Sequence, residues 1–261
     1  MSTVLTAIDG SPISAAVLEV AREIARVLDA QVDAVHVLEG EDLPDVEISG
    51  GETPLRLLRG DPSSVLIDEA STENVAAVVI GACREAGRPA PAGHVSLDVI
   101  GAVRRPVVVV PPMTALDYEL HTVLVPVQGR PAHALEDVVR LAENPQLHVV
   151  ILRLLDETTI PSFEDQGHYD VEAWADEFLA RWVPGAGSDT AMEVRIGEPE
   201  ELVVSVAQEV CADLVALGRR RDRPATEAPL LLTALERGHV PIVLFPLARR
   251  SPDVVGPRIS R

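Results

Sequence analysis

The chain has 261 residues, of which 47% are hydrophobic but only 3% aromatic, and it carries a formal net charge of −19 at pH 7. Because domains typically hold roughly 100–150 residues, this length predicts two of them. The negative charge would repel phosphodiester backbones and anionic lipid, so we expect no nucleic-acid and no membrane partner.

The basic and sulfur-containing residues exclude further classes of site. All 22 basic residues are Arg, which excludes the P-loop, Schiff-base enzymes and protein kinases, since each needs a lysine amine. The two cysteines, Cys83 and Cys211, are too few for a zinc site or a disulfide framework. No apolar run approaches the roughly 18–20 residues of a membrane span, and no basic leader precedes the first strand. We therefore expect a cytoplasmic protein without a metal site.

Continuous apolar runs predict the strands of the first half. In chain order we expect strand, helix, strand, strand, helix, strand, helix and strand, with apolar strands at 4–8, 32–38, 76–80 and 107–110. Such runs are typical of strands buried on both faces of a parallel sheet. Ser11 before Pro12, and Asp61 before Pro62, are N-cap signals for the first two helices. The fold class is therefore α/β.

The chain repeats itself. Thr-Val-Leu-Thr-Ala-Ile-Asp-Gly at 3–10 returns as Thr-Val-Leu-Val-Pro-Val-Gln-Gly at 122–129, and Gly-Asp-Pro at 60–62 returns as Gly-Glu-Pro at 197–199. An internal repeat indicates the overall architecture more strongly than the secondary-structure propensity of single segments does. We predict tandem open parallel-sheet domains at 1–112 and 121–248, joined by a linker at 111–121 and followed by a disordered tail at 249–261.

The two copies differ between their second and third strands. Only the second copy has an apolar stripe at helical spacing there, including Trp174 and Trp182. A stripe of this period is typical of core packing, although two Trp side chains would also suit a ligand platform. The last strand of each copy is apolar, and as an edge strand it would expose unpaired backbone N–H and C=O groups unless another strand paired with it. We expect these strands to pair within one chain as a pseudo-dimer, with further homo-oligomers left open.

Ligands of open parallel sheets bind beyond the carboxyl ends of the strands, where the strand order reverses. Two loops of the first copy meet that description, Asp9-Gly10-Ser11 and residues 81–96. With the Gly-Asp-Pro turn at 60–62 and the final strand Pro-Val-Val-Val-Val at 106–110, they resemble the universal stress protein family. The resemblance covers about 4–112 and, more weakly, 122–247.

The resemblance implies strand order 3-2-1-4-5, as in adenine nucleotide alpha hydrolase-like folds, and an ATP site with the pattern Gly-x-x-Gly-x9-Gly-Ser/Thr. Gly81 matches the first glycine, Arg84 stands at the second, Gly93 lies one position early and His94 replaces the hydroxyl residue. The family would place Asp9 at the ribose and the Val37 backbone at the adenine. It would place the phosphates at Gly81, Gly93, His94, Val95 and Ser96.

Several of these positions have a second interpretation. Asp9 would equally cap or support the first helix. Arg84 would either obstruct a phosphate or grip it with its guanidinium. In the second copy Gln128 replaces the acid and Ala228-Pro229 replaces the third glycine motif, so we expect that site to be lost. The charged run 219–223 suits a solvated loop better than an anion site.

Together these features predict a tandem universal stress protein that binds and regulates, with ATP or a related adenine nucleotide in its first domain. The alternative is a scaffold without nucleotide that acts through protein surfaces. The sequence has no Gly-x-Ser-x-Gly elbow and no evident acid–base pair, so we expect no enzyme beyond slow ATP hydrolysis. It does not identify a protein partner.

Overall fold

The computed structural model describes residues 1–39, 53–82, 92–128, 143–155, 189–220 and 224–247. The first half contains β1 (Thr3–Ala7), α1 (Ser14–Leu28), β2 (Gln31–Leu38), β3 (Leu55–Arg59), α2 (Pro62–Ala70), β4 (Val75–Gly81), α3 (His94–Ala102) and β5 (Val107–Val110). The second half contains β6 (Thr122–Gln128), β7 (His148–Leu155), β8 (Thr190–Ile196), α4 (Pro199–Glu209), β9 (Leu214–Arg220), α5 (Pro229–Arg237) and β10 (Ile242–Leu247), with a short 3₁₀ turn at Ala225–Glu227.

The ten described strands form one sheet in the order β3-β2-β1-β4-β5-β10-β9-β6-β7-β8. Each half, numbered from its own first strand, has the order 3-2-1-4-5, and its neighbouring strands are parallel. The predicted α/β class with parallel open sheets is confirmed. The halves meet where β5 pairs antiparallel with β10, with Val108 opposite Val243. The expected intramolecular pairing of the two last strands is therefore present.

The core lies on both faces of this sheet. Val107 and Val109 belong to one buried cluster and Val108 and Val110 to the other, because successive strand residues point to opposite faces. All four are fully buried. Helix α1 packs its apolar stripe on one face, and the other described helices contribute to the opposite face. Each cluster includes residues of both halves, so the seam between β5 and β10 is part of a continuous core.

The segment 111–121 is fastened to both halves. The linker N–H of Leu120 donates to Glu23 Oε2 at 3.1 Å, and Arg26 of α1 donates to the Leu120 carbonyl at 3.0 Å. On the other side, the Tyr118 hydroxyl donates to the Asp213 carbonyl at 3.0 Å. Burial, followed by the charges of Asp213 and Glu23, raises the pKa of Tyr118 above its ordinary value. The linker is thus a docked connection.

The start of α1 corrects one sequence prediction. Ser11 does not cap the helix, which begins at Ser14 after Ile13 with no side-chain cap. Instead the N–H of Ser11 donates to Asp9 Oδ1 and the carbonyl of Ser11 accepts from the N–H of Ser14. Asp61 does cap α2, because its Oδ2 accepts from the N–H of Ser64 at 2.9 Å, with Pro62 in the first turn.

Some predictions lie outside the described residues. These are the Trp-bearing helix in the segment 156–188, the first helix of the second copy and the tail at 249–261. In the helices that the structure describes, none has both the length and the hydropathy to cross a membrane.

Candidate functional site

The parallel registers bring the predicted first-half residues to one edge of the sheet. Ala7 of β1 pairs with Val35 of β2, and Thr6 of β1 pairs with Val79 of β4. Continuing these registers places Asp9 level with Val37 on one side and just beyond Gly81 on the other. This edge is where β1, β2 and β4 end, at the reversal of strand order that favours ligand binding.

Asp9 organises the turn that leaves β1. Its Oδ1 accepts hydrogen bonds from the N–H of Ser11 at 2.9 Å and from the Ser14 hydroxyl at 3.1 Å. Gly10 has φ 77°, a left-handed conformation that a side chain disfavours, so glycine suits this turn. The helix-supporting role of Asp9 is therefore present, and it leaves the carboxylate exposed at the edge of the sheet.

The first turn of α3 is tied to the end of β4. The hydroxyl of Ser96 is buried with its residue and donates to the Gly81 carbonyl at 2.8 Å. Gly93 is the N-cap and provides no side-chain acceptor, while the first intrahelical bond of the turn runs from the Leu97 N–H to the Gly93 carbonyl. The N–H groups of His94, Val95 and Ser96 are therefore those that an α-helix leaves without intrahelical partners.

The neighbouring start of α2 adds charge beside His94. The hydroxyl and N–H of Ser64, followed by the charge of His94, lower the pKa of the Asp61 carboxylate below its ordinary value. Ser63 donates from its hydroxyl to Asp98 Oδ2 at 3.0 Å, which joins the two helices further along. The starts of α2 and α3 thus form one polar surface next to the end of β4.

Sequence reasoning missed a basic side chain at this edge. His36 of β2 places its Nδ1 2.6 Å from the Ile8 carbonyl oxygen. In the second half the equivalent residue of β7 is Arg153, which donates from Nη1 to the Val127 carbonyl at 3.4 Å. Burial lowers the pKa of Arg153. The available signal was the repeat itself, since both residues stand five positions after the start of the second strand in their copies.

Arg219 departs from the prediction that the charged run 219–223 is a solvated loop, while residues 221–223 lie outside the described residues. Arg219 is the sixth residue of β9 and is only 7% exposed, so it is part of the interior. Its guanidinium donates to the carbonyls of Gly101 and Val103 in the first half, at 3.2 and 2.7 Å. The prediction failed because the acceptors lie more than a hundred residues away in sequence.

Arg84 belongs to 83–91, which is outside the described residues, so its proposed contact with phosphate stays a prediction.

An apolar cleft lies away from the candidate site, between α4 and α5 of the second half. It is lined among others by Val203, Ala207 and Ala234. Among the described residues no group of three His, Cys, Asp or Glu side chains is arranged to hold a metal ion.

Comparison with known proteins relates part of the chain to one family. Residues 119–236 match the model of the universal stress protein family. None of the curated proteins compared with the chain matches it significantly. A universal stress protein from Archaeoglobus fulgidus DSM 4304 superposes with a TM-score of 0.66 at 16% identity, covering 94% of this chain and 98% of that one. A functionally unknown protein from Pseudomonas aeruginosa PAO1 superposes with a TM-score of 0.61 at 12% identity, covering 95% and 93%.

At these identities the structural matches show the fold, and the family model adds a sequence match over residues 119–236. Residues 119–236 are therefore similar to universal stress proteins in sequence, and the whole chain is similar to them in fold. The motifs of the first copy resemble the family more strongly than those of the second, whereas the family model matches residues 119–236 in the second. The motifs in the first copy are a few residues long, while a family model weighs the pattern of a whole domain.

Proposed function

We propose that this chain is a universal stress protein and a regulatory binding protein whose first half holds ATP or a related adenine nucleotide. The observation that carries the proposal is the convergence of Asp9, Val37 and the start of α3 at the ends of β1, β2 and β4, with Ser96 hydrogen-bonded to Gly81. The proposal concerns binding and assigns no catalytic residue.

Asp9 suits a ribose because its carboxylate is exposed at this edge. A carboxylate accepts hydrogen bonds from hydroxyl groups, as Oδ1 does here from the Ser14 hydroxyl, so the hydroxyls of a ribose are suitable donors to it. The backbone of Val37 lies beside it at the end of β2 and would face the base. His36 on the same strand is a further polar group at this edge. Its Nδ1 is hydrogen-bonded to the Ile8 carbonyl, and its Nε2 lies on the opposite side of the imidazole ring.

The start of α3 suits the phosphates. The N–H groups of His94, Val95 and Ser96 and the positive end of the helix dipole favour a negative charge there. Gly93 at the N-cap and Gly81 at the end of β4 have no Cβ to keep a phosphate from the backbone. The overall charge of −19 opposes an anionic ligand, so we expect affinity to depend on this local arrangement and to vary with salt.

Calorimetric titration of the full chain with MgATP tests the proposal. Asp9→Asn keeps an oxygen that accepts from Ser11 and Ser14 but replaces the second carboxylate oxygen with a donor. We expect it to weaken binding about tenfold or more, the effect of one hydrogen bond to a charged group. Asp117→Asn removes the same charge from an exposed position of the linker and is the matched control. Equal affinity in both variants would overturn the role of Asp9.

The scaffold alternative rests on a specific observation. The polar groups of Asp9 and Ser96 already support the protein's own turn and helix, so they have roles without a ligand. A folded sample that gives no heat with millimolar nucleotide would favour the scaffold and overturn nucleotide binding. Nucleotide retained from the expression host through purification would exclude the scaffold.

A further inference from the structure

Arg219 reaches from the second half of the chain to a helix of the first. Its Nη2 lies 2.7 Å from the Val103 carbonyl oxygen and its Nη1 lies 3.2 Å from that of Gly101. Both carbonyls belong to the C-terminal end of α3, where Val103 is the C-cap. Arg219 itself is fixed in β9, where it pairs with Pro246 of β10. The contact therefore crosses the seam between the halves close to the pairing of β5 with β10.

The chemistry of this contact is favourable. The last carbonyls of an α-helix have no intrahelical donors, and the C-terminal end of the helix dipole attracts a cation. The planar guanidinium satisfies two of these carbonyls at once, a geometry that a lysine ammonium cannot reproduce. Because Arg219 is only 7% exposed, its loss would leave the carbonyl of the buried Val103 without this donor in the interior.

The opposite end of α3 is the candidate phosphate site. There Ser96 donates to the Gly81 carbonyl, and His94 begins the helix after Gly93. Helix α3 has nine residues, so its ends lie about 13 Å apart. One end of this short helix is held by β4 of the first half and the other by Arg219 of the second.

Comparison of the two copies shows that the first half has no equivalent of Arg219 at the matching position. Residues 78–81 of β4 match 215–218 of β9, so the position equivalent to Arg219 is Ala82. Ala82 is fully buried and has no group that could reach a helix of the second half. The first half therefore lacks, at this position, the contact that the second half provides.

We propose that Arg219 is a positioning residue through which the second half orders the whole of α3, including the end that the proposed function assigns to phosphate. The second half then has a role in the first-half site although its own motif residues differ. Binding at the start of α3 and the hold at its end stabilise the same helix, so each favours the other by thermodynamic linkage. This inference rests on the proposed function only for the identity of the ligand.

Hydrogen exchange of the full chain without ligand provides the first test. In Arg219→Met, which loses both hydrogen bonds to the end of α3, we expect the amides of Leu97 and Val103 to exchange about tenfold faster or more. Arg219→Lys keeps the charge and should give a smaller change. Arg104→Met removes an exposed arginine just beyond the same helix and should leave α3 unchanged.

A second control separates positioning from general destabilisation. Val206→Ala shortens a buried side chain of α4, a helix of the second half, and lowers stability without removing the Arg219 contact. If it accelerates exchange in α3 as much as Arg219→Met does at equal loss of stability, the inference is wrong. It is also wrong if only Val103 responds and Leu97 does not, since Arg219 would then be a local cap.

Titration with MgATP provides the third readout. We expect Arg219→Met to raise the dissociation constant several-fold, with Arg219→Lys between it and the wild type and Arg104→Met at the wild-type value. If the wild-type protein binds no ATP, the proposed function fails, and the exchange data alone decide whether Arg219 orders α3. If ATP binds equally to all variants, the positioning role in ligand binding is excluded.

Discussion

The Nδ1 atom of His36 lies 2.6 Å from the carbonyl oxygen of Ile8, the residue that follows β1. Because a carbonyl only accepts, Nδ1 carries the proton and the ring is fixed with Nε2 turned away. Arg153 makes the corresponding contact with Val127 at 3.4 Å. Both copies therefore place a basic side chain of the second strand against the end of the first strand, at the edge where the site would form.

The His36 contact predicts a measurable loss of stability. His36→Leu removes a half-buried donor to the Ile8 carbonyl and should lower the free energy of unfolding by about 1 kcal/mol. His148→Leu removes an exposed imidazole at the start of β7 and is the matched control. Urea unfolding followed by circular dichroism compares the two midpoints. Equal midpoints would show that the 2.6 Å contact does not stabilise the fold.

Two glycines at helix ends should respond in opposite directions to alanine. At Gly238 a Cβ would lie 2.3 Å from the Ala234 carbonyl oxygen, so Gly238→Ala should destabilise by about 1–3 kcal/mol. At Gly101 in α3 a Cβ would meet nothing within 4 Å, so Gly101→Ala should stabilise by about 0.5–1 kcal/mol through its helix propensity. Thermal unfolding of both variants checks the sign. A stabilising Gly238→Ala would contradict the packing described for the end of α5.

The linker contact of Glu23 predicts a pH dependence. Burial raises the pKa of the Glu23 carboxyl, but hydrogen bonds from Arg26 and Leu120, with the charges of Arg26 and His121, outweigh it and lower the net pKa. A lowered folded-state pKa stabilises the protein above the unfolded-state value of about 4.3, and this stabilisation is lost as the pH falls further.

Glu23→Gln should therefore reduce stability at pH 7 by about 1 kcal/mol or less and flatten the loss of stability below pH ~4.3. The variant keeps an acceptor for the Leu120 N–H, so the charge is the main change. Glu19→Gln removes the same charge from the same helix without the linker contact, and its own pair with Arg22 makes it a fair control. Parallel acid limbs for wild type and Glu23→Gln would contradict the assignment.

The residues show which parts of the structure sequence could predict. The buried run 107–110 predicted both a strand and its need for a covering partner, because four consecutive apolar residues cannot face water. Asp61 was predicted as a cap because its partner Ser64 is three residues away. The burial of Arg219 is not predictable from nearby residues, because its acceptors, Gly101 and Val103, become its neighbours only when the two halves join. A hydrogen bond between residues a few positions apart can be predicted from their spacing in the sequence. A contact between the two halves forms only when the sheet is assembled, so spacing does not predict it.

In the candidate site, the sequence likewise predicts the position of the residues but not their hydrogen bonds. The position of the edge followed from the parallel strands, and Asp9 and Ser96 do lie there. The commitment of their polar groups to Ser11, Ser14 and Gly81 could not be predicted, since it depends on side-chain geometry at the strand ends. The period of the apolar runs therefore predicts the fold, whereas the hydrogen bonds of the site arise only when the strand ends are assembled.

Asp61 and Glu198 occupy the same position before α2 and α4, and they should differ in their effect on stability. Asp61 accepts from the Ser64 N–H, whereas Glu198 makes no side-chain cap hydrogen bond. Asp61→Ala should therefore lower the urea midpoint more than Glu198→Ala does, and Asp61→Ser should restore part of the loss because serine also caps helices. The lowered pKa of Asp61 means that its stabilisation is present above the unfolded-state value of about 3.9 and is lost as the pH falls below it. The difference between the urea midpoints of the two alanine variants should consequently be clear at pH 7 and shrink toward pH 3. A difference in midpoints that persists at pH 3 would show that the charge of Asp61 does not contribute to stability.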